Sequence, residues 1–357
     1  MNTSRKILSG VAGTVLIASG VGFAATSVQP ATAANASASA DAVHEIGDYR
    51  IESRWAEEGG ALSRLANVQG SFSFNQQGVT PNDELFNVFG TAILSMCSKP
   101  ALDIEAEQVG EANYYVNVGG SIEKSFTVNL AEMDADEKET LMGCSCATGS
   151  PFGQARVVGV ELSKVVGMAD LEEGVNTLTA YGSDGYGEPL PLQYVLDKHA
   201  LLVYRVNGEE LKSTAEGSSV QLWMPETVAR YFTRNITQIE LTCEEEAPEV
   251  GSVDPMYRNK IEIKNDASSC EFEKGKEITF EGVADDCGSA IEAVEFSFDG
   301  GQTWTVGDTE GVTADKWVNW QFTTTFADAG DYEMIARART ADGVVSPLVS
   351  SLSFSVV

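Results

Sequence analysis

The chain has 357 residues and is strongly acidic, with 53 Asp and Glu against 23 Lys and Arg and a formal net charge of −30. Such a field repels nucleic acid and anionic lipid, because neutralising phosphates takes clustered basic side chains, so nucleic-acid binding is excluded. Hydrophobic residues make up 43% of the chain, which is enough for packed cores. A length above the usual size of one core predicts two folded units.

The first 33 residues have the pattern of a signal peptide. Arg5 and Lys6 precede an apolar run over residues 7–25, and residues 31–33 (Ala-Thr-Ala) offer a cleavage site. Glycines dilute the run, which disfavours the alternative of a retained anchor helix. The stretch SRKIL also resembles a loosened twin-arginine signal, a route for proteins that fold before export. We therefore expect a secreted or cell-surface protein, with an Ala- and Ser-rich flexible linker over residues 34–45 after the signal.

Residues 46–243 show mixed α and β patterns and are predicted to form the first domain. Strands are indicated at 71–74, 114–130 (two strands), 157–160, 175–181, 201–206 and 220–224, and helices at 131–140 and 192–197. Asn207-Gly208 predicts a tight hairpin turn.

Within this domain, residues 139–160 (ETLMGCSCATGSPFGQARVVGV) place Cys144 and Cys146 in a polar, glycine-rich loop before a strand-like segment. A thiol at the mouth of such a loop can meet a ligand or a metal without crowding. The alternative is half of a structural disulfide, since the chain has an even number of cysteines and its predicted compartment is oxidising. The disulfide connectivity cannot be read from the sequence.

An acidic, proline-containing stretch over residues 244–255 (EEEAPEVGSVDP) predicts a linker between domains. Beyond it, residues 256–357 alternate apolar and polar side chains with period two. Strands are indicated at 260–263, 277–283, 293–298, 317–325, 332–339 and 352–356, separated by turn residues. Short alternating strands over about 100 residues predict a β-sandwich of immunoglobulin-like type.

Four stretches together resemble the sulfite oxidase family of molybdopterin-dependent oxidoreductases, over roughly residues 114–357. They are YYVNVGGSIEKSFTVNLAEM, CSCATGSPFGQARVVGVELSKVV, DGYGEPLPLQYVLDKHALLVYRVNGEEL and, in the C-terminal part, VEFSFDGGQTW with KWVNW and ARARTADG. The resemblance implies an α+β fold, in which a mixed sulfite-oxidase-type molybdopterin-binding domain is followed by the sandwich. It also implies a homodimer that pairs through the C-terminal domain.

The resemblance carries three residues over as site candidates. Cys144 falls where the family's thiolate ligates molybdenum and so helps to hold the molybdopterin. We prefer it to Cys146 because its distance to FGQAR is closer to the family's spacing, although the choice between the two stays open. Tyr186 falls on the active-site tyrosine and Arg230 on the arginine that holds the pterin phosphate, for which a guanidinium offers bidentate donors.

The sequence departs from the family pattern where the family binds its anionic substrate. Residues 147–148 are Ala-Thr in place of an Asn-Arg pair, and Thr233 replaces a lysine, although Arg234 is adjacent. The chain has two histidines, His44 and His199, and neither stands in the family's upstream motif. Sulfite binds poorly to a pocket without such groups.

We therefore expect an exported oxidoreductase that performs oxygen-atom transfer, or a related two-electron step, on a small substrate other than sulfite. An external electron carrier would complete the reaction. Two alternatives remain open on the sequence: a degenerate, metal-free relative that acts as an extracellular binding or surface protein, and a purely structural module.

Overall fold

The computed structural model describes residues 43–46, 49–52, 62–82, 85, 111–145, 151–183, 185–213, 217–251, 260–266 and 271–357. The predicted signal peptide and Cys97, Cys146 and Cys270 lie outside the described residues. Within these residues the strands are β1 Val43–Ile46, β2 Tyr49–Glu52, β3 Ser71–Asn75, β4 Tyr115–Gly120, β5 Phe126–Asn129, β6 Glu137–Ser145, β7 Pro151–Glu161, β8 Thr177–Gly182, β9 Leu190–Pro191, β10 Leu201–Val206, β11 Glu209–Glu210, β12 Gln221–Trp223, β13 Ile236–Thr242, β14 Lys260–Ile263, β15 Glu271–Phe272, β16 Glu277–Asp285, β17 Ile291–Ser297, β18 Thr305–Asp308, β19 Val318–Thr325, β20 Gly330–Thr340 and β21 Leu348–Val356.

The first domain contains two sheets that share one core. One sheet has the order β5-β4-β13-β8-β9, and the other has the order β11-β10-β7-β6 with β12 also paired to β10. Strand β7 is buried on both faces: Val158 and Val160 enter the shared core, whereas Ala155 and Val157 enter a second apolar cluster. This division follows from the period of two along a strand, and it makes β7 the wall between the two cores.

The helices are short. Those with described bounds are α1, Leu162–Val166, and α2, Leu192–Asp197, so strands predominate in a chain predicted to be α+β. None of the helices within the described residues is long and apolar enough to cross a membrane. The prediction at Asn207-Gly208 is confirmed, because both residues have positive φ, 49° and 83°, and they join β10 to β11.

The helix predicted at 131–140 is wrong. Two 3₁₀ turns, Leu130–Glu132 and Asp134–Asp136, stand there, and Glu137 begins β6. Strand β6 pairs along its length with β7, so tertiary pairing outweighs the local helix propensity of the acidic segment.

The C-terminal strands form two sheets around an aromatic core, and the six strands predicted from the period of two are present. One sheet has the order β14-β16-β19-β3 and the other β1-β2-β21-β20-β17-β18, with β15 paired to β21. Phe280 and Trp320 of the first sheet and Phe296 and Phe354 of the second line the common core. Phe296 also stacks on Phe322 with ring centroids 4.5 Å apart.

Segments from the start of the chain complete these C-terminal sheets. Strand β3 pairs antiparallel with β19, where Phe74 lies opposite Trp320, and β2 pairs parallel with β21. The sequence placed residues 71–74 in the first domain, but Phe72 and Phe74 pack against the aromatic core of the C-terminal unit. Strand β1 likewise includes residues 43–45, which were predicted as flexible linker.

Polar contacts join the first domain to the C-terminal sheets. The buried Gln154 side chain donates from Nε2 to the carbonyl oxygen of Gly78 at 2.7 Å and accepts at Oε1 from the backbone nitrogen of Trp317 at 2.7 Å. The backbone nitrogen of Gly143 donates to the carbonyl oxygen of Asp315 at 3.2 Å. Strands β6 and β7 are thereby held against the segment that precedes β19.

Candidate active site

Cys144 lies near the end of β6, opposite Gly153 of β7. Cys144 is 1% exposed and belongs to the second apolar cluster. The neighbours in that cluster include Met142, Ala155, Val157, Trp223 and Phe232. The sequence predicts this thiol in a polar loop, but the structure places it on a strand. Pairing of β6 with β7 continues as far as Ser145, with a register shift after Cys144.

The end of β6 also meets the segment that carries Arg230. Ser145 forms an isolated parallel bridge with Val228, and Arg230 follows in the 3₁₀ turn Ala229–Tyr231. Ser145 is fully buried, and its Oγ makes no hydrogen bond within the residues that the structure describes. A buried hydroxyl without a partner is costly, so this atom marks a place where a bound group would be stabilised.

Tyr186 and Glu188 both contact Arg230. The Tyr186 hydroxyl donates to the carbonyl oxygen of Arg230 at 2.5 Å, and the Arg230 guanidinium forms an ion pair with Glu188. Burial opposes the charged form of Arg230, but the hydrogen bond to Glu188 and its charge outweigh burial and raise the pKa of the guanidinium. Its buried Nε has no hydrogen-bond partner within the described residues.

The structure therefore links the three residues singled out from the sequence. Cys144 precedes Ser145, Ser145 bridges to the segment of Arg230, and the carbonyl of Arg230 accepts from Tyr186. Sequence reasoning missed Ser145 and Glu188. No local pattern identifies either residue, since the spacing of two between Tyr186 and Glu188 does not tell which acidic side chain meets Arg230.

A cleft of about 220 Å³ opens at Leu141 and Met142 of β6 and does not include Cys144, Tyr186 or Arg230. Its lining includes Leu141 and Met142 of β6 together with His199, Glu226 and Asp315. Ligand pockets usually measure about 300–1,000 Å³, so this cleft is smaller than a site for a large cofactor. None of the three predicted site residues lines it.

Residues 102–249 match the family model described as "Oxidoreductase molybdopterin binding domain". This range contains Cys144, Tyr186 and Arg230. No protein of curated function matches the chain.

Among solved structures, the sulfane dehydrogenase SoxCD from Paracoccus pantotrophus is similar in fold. It has a TM-score of 0.52 and 17% identity, over 67% of this chain and 70% of that chain. Fibronectin(III)-like modules of Clostridium thermocellum CbhA also match, with 12% identity over 61% of this chain and 94% of that chain, but a TM-score of 0.23 carries no argument. The predicted family, oxidoreductase class and cofactor are confirmed. Residues 102–249 of this chain therefore form a molybdopterin-binding oxidoreductase domain, and the likeness to SoxCD shows a shared fold.

Proposed function

We propose that the protein is an exported molybdopterin enzyme that performs oxygen-atom transfer, or a related two-electron oxidation, on a small substrate other than sulfite. An external electron carrier would then remove the electrons. The observation that carries the proposal is a series of contacts inside the matched domain: Ser145, next to Cys144 at the end of β6, bridges to the segment of Arg230, whose carbonyl accepts from Tyr186.

The donor set at this place fits the cofactor. A thiolate is a soft ligand that suits a metal already bound by sulfur, but Cys144 is 1% exposed among apolar side chains and would have to be uncovered to reach a metal. The Ser145 hydroxyl and Arg230 Nε are buried donors without hydrogen-bond partners in the described part of the chain. An anionic group that reached either atom would satisfy it.

Each residue then has one role. When bound, the cofactor supplies a metal centre that can exchange electron pairs and oxygen with a substrate. Cys144 would hold the metal by its sulfur. Arg230 would release Glu188 and bind the phosphate of the cofactor instead. Tyr186 would orient the substrate, because its hydroxyl can turn from the carbonyl of Arg230 and donate a hydrogen bond to a substrate oxygen or sulfur.

We further propose that the substrate carries little negative charge. Dianions such as sulfite need several basic donors, and the one arginine described among these residues is already neutralised by Glu188. The similar solved structure is named a sulfane dehydrogenase, which makes neutral sulfane sulfur a reasonable first class of substrate to assay.

Metal analysis tests the proposed ligand. Protein purified from its native host should contain stoichiometric molybdenum, and a Cys144→Ala variant that keeps its circular dichroism spectrum should lose it. A Cys146→Ala variant is the matched control and should keep the metal. Only trace metal in the unaltered protein would favour the metal-free alternative, and unchanged metal in Cys144→Ala would remove Cys144 as the ligand.

Export, the C-terminal topology and dimerisation are part of the same proposal. The two-sheet C-terminal unit supports an immunoglobulin-like sandwich that pairs two copies. N-terminal sequencing of protein from the culture medium should begin at about residue 34. The mass of the full-length protein in solution should be that of a dimer, and a monomer mass at micromolar concentration would contradict this part.

A further inference from the structure

Lys260 and Cys287 lie in contact in the C-terminal unit, outside the matched domain. Lys260 Nζ donates a hydrogen bond to Cys287 Sγ at 2.9 Å, and the thiol donates in turn to Asp285 Oδ2 at 3.4 Å. Lys260 is 6% exposed, whereas Cys287 is half-buried. A basic nitrogen and a thiol sulfur are therefore held against each other in a place that the proposed redox function does not use.

The backbone fixes this contact. Lys260 is the first residue of β14 and pairs with Asp285, the last residue of β16. Cys287 then turns back with a left-handed φ of 48°, and its backbone nitrogen donates to Asp285 Oδ1 at 3.3 Å. The register of the two strands and the aspartate-capped turn therefore bring the backbones of the two residues together, and the lysine side chain spans the remaining distance.

We propose that Lys260 and Cys287 are a site of oxidative cross-linking, in which one oxygen atom bridges Lys260 Nζ and Cys287 Sγ. The 2.9 Å separation is too long for a direct bond and close to the span of two single bonds that meet at one oxygen. Reacting atoms held this close react as an intramolecular pair.

The oxidant is dioxygen, and the step balances with it. The lysine ammonium, the thiol and one dioxygen molecule give the N–O–S bridge, one water and one proton, which passes to solvent. Nitrogen and sulfur each give up two electrons. Dioxygen accepts all four, and its second oxygen atom leaves as the water. Sulfur oxidation that ends in a bond to nitrogen is known cysteine chemistry.

The surroundings make this a slow reaction. Burial, with the charge of Asp285, raises the pKa of the Cys287 thiol although Lys260 opposes the shift. Oxidation is fastest for exposed thiolates, so the bridge should accumulate over long exposure to oxidant. An extracellular protein that is not resynthesised in place would acquire such a bond with age.

The bridge would lie within the C-terminal unit, at a turn that packs against the first domain. Cys287 packs against the core of the first domain, and Lys260 is the first described residue after the interval 252–259 that leads out of that domain. A covalent bond here would tie the start of β14 to the turn that touches the first domain, and so would restrain their separation.

Peptide mass spectrometry of the full-length protein tests the proposal. One sample is kept under a thiol reductant, and the other is exposed to air for days before digestion without reduction. We expect a linked peptide pair containing Lys260 and Cys287, with a mass gain of one oxygen less two hydrogens, which reductant releases. A Cys243→Ser variant, which removes an exposed cysteine, should still form the link, and Lys260→Arg should not.

Three results would overturn the proposal, and all are read on the unaltered protein, so they stand if a variant fails to fold. The first is no linked pair after prolonged exposure to air. The second is Cys287 recovered as a disulfide with another cysteine or as a sulfinic acid. The third is a linked pair that lacks the oxygen, which would mean a direct nitrogen–sulfur bond.

Discussion

Replacing Glu188 with glutamine should improve cofactor loading, although it removes an ion pair. Glu188 neutralises the Arg230 guanidinium, which is the group proposed to hold the phosphate of the cofactor. Because the structure pairs these two side chains, binding of the phosphate through Arg230 must first break the pair. Glutamine keeps the size and the hydrogen-bonding capacity of the side chain but removes the competing charge.

The exposure of the two side chains limits the size of the effect. The Arg230 side chain is 37% exposed and that of Glu188 27%, and pairs with this much contact with water contribute about 0.2–1 kcal/mol. The unfolding free energy of cofactor-free Glu188→Gln should therefore fall by less than about 1 kcal/mol. The affinity for the cofactor should rise by up to about fivefold, which corresponds to the same free energy.

The assay is the molybdenum content of protein from cells grown on limiting molybdate, together with urea unfolding of the cofactor-free form. Glu262→Gln is the matched control, because Glu262 pairs with Lys264 at 3.1 Å in the C-terminal sheet and should change neither loading nor affinity. If Glu188→Gln loads the same or less molybdenum than the unaltered protein, Arg230 does not hold the phosphate by displacing this carboxylate.

Three further predictions concern stability. Gly143→Ala should destabilise the protein by about 1–3 kcal/mol in urea unfolding, because a Cβ there would lie 2.6 Å from the Trp317 ring; a loss within error would contradict the close packing of this junction. Phe296→Ala should cost about 3–5 kcal/mol, since the side chain is 1% exposed in the aromatic core, and a loss below about 1 kcal/mol would contradict its burial. The Tyr204 hydroxyl donates a hydrogen bond of 2.7 Å to Glu137. This bond, more than the ion pair between Glu137 and Arg205, lowers the pKa of the Glu137 carboxyl. Its stabilisation is therefore complete above the ordinary carboxyl pKa and is lost as the pH falls through the lowered one; Glu137→Gln should flatten the acid side of the Tm–pH profile, and an unchanged profile would show that this carboxylate does not contribute.

The sequence identified many of the strands but not their partners, and it missed β6 and β13. Alternation along Glu277–Asp285 and Gly330–Thr340 identified these strands because one face of each enters a core. The same alternation identified residues 71–74 as a strand. Nothing local in SFSF specifies which sheet accepts it, since that depends on an edge formed by residues more than 200 positions away.

The candidate site shows the same division. Cys144, Tyr186 and Arg230 were identified by resemblance, and the fold brings their segments together through the bridge of Ser145. The ion pair with Glu188 could not be predicted, because a spacing of two in a loop does not tell which of many acidic residues meets a given arginine. The chain has 53 acidic residues, and only the folded structure identifies Glu188 as the one that pairs with Arg230.

The position of β3 has a consequence for biogenesis. Asn75 lies opposite Asn319, so this pairing must wait until the ribosome has made nearly the whole chain. Contacts between such distant positions also slow folding. Excising residues 260–357 would strip β3 of its neighbour and leave an unpaired strand edge, which invites aggregation. The two parts of this protein are therefore expected to be produced and purified as one chain.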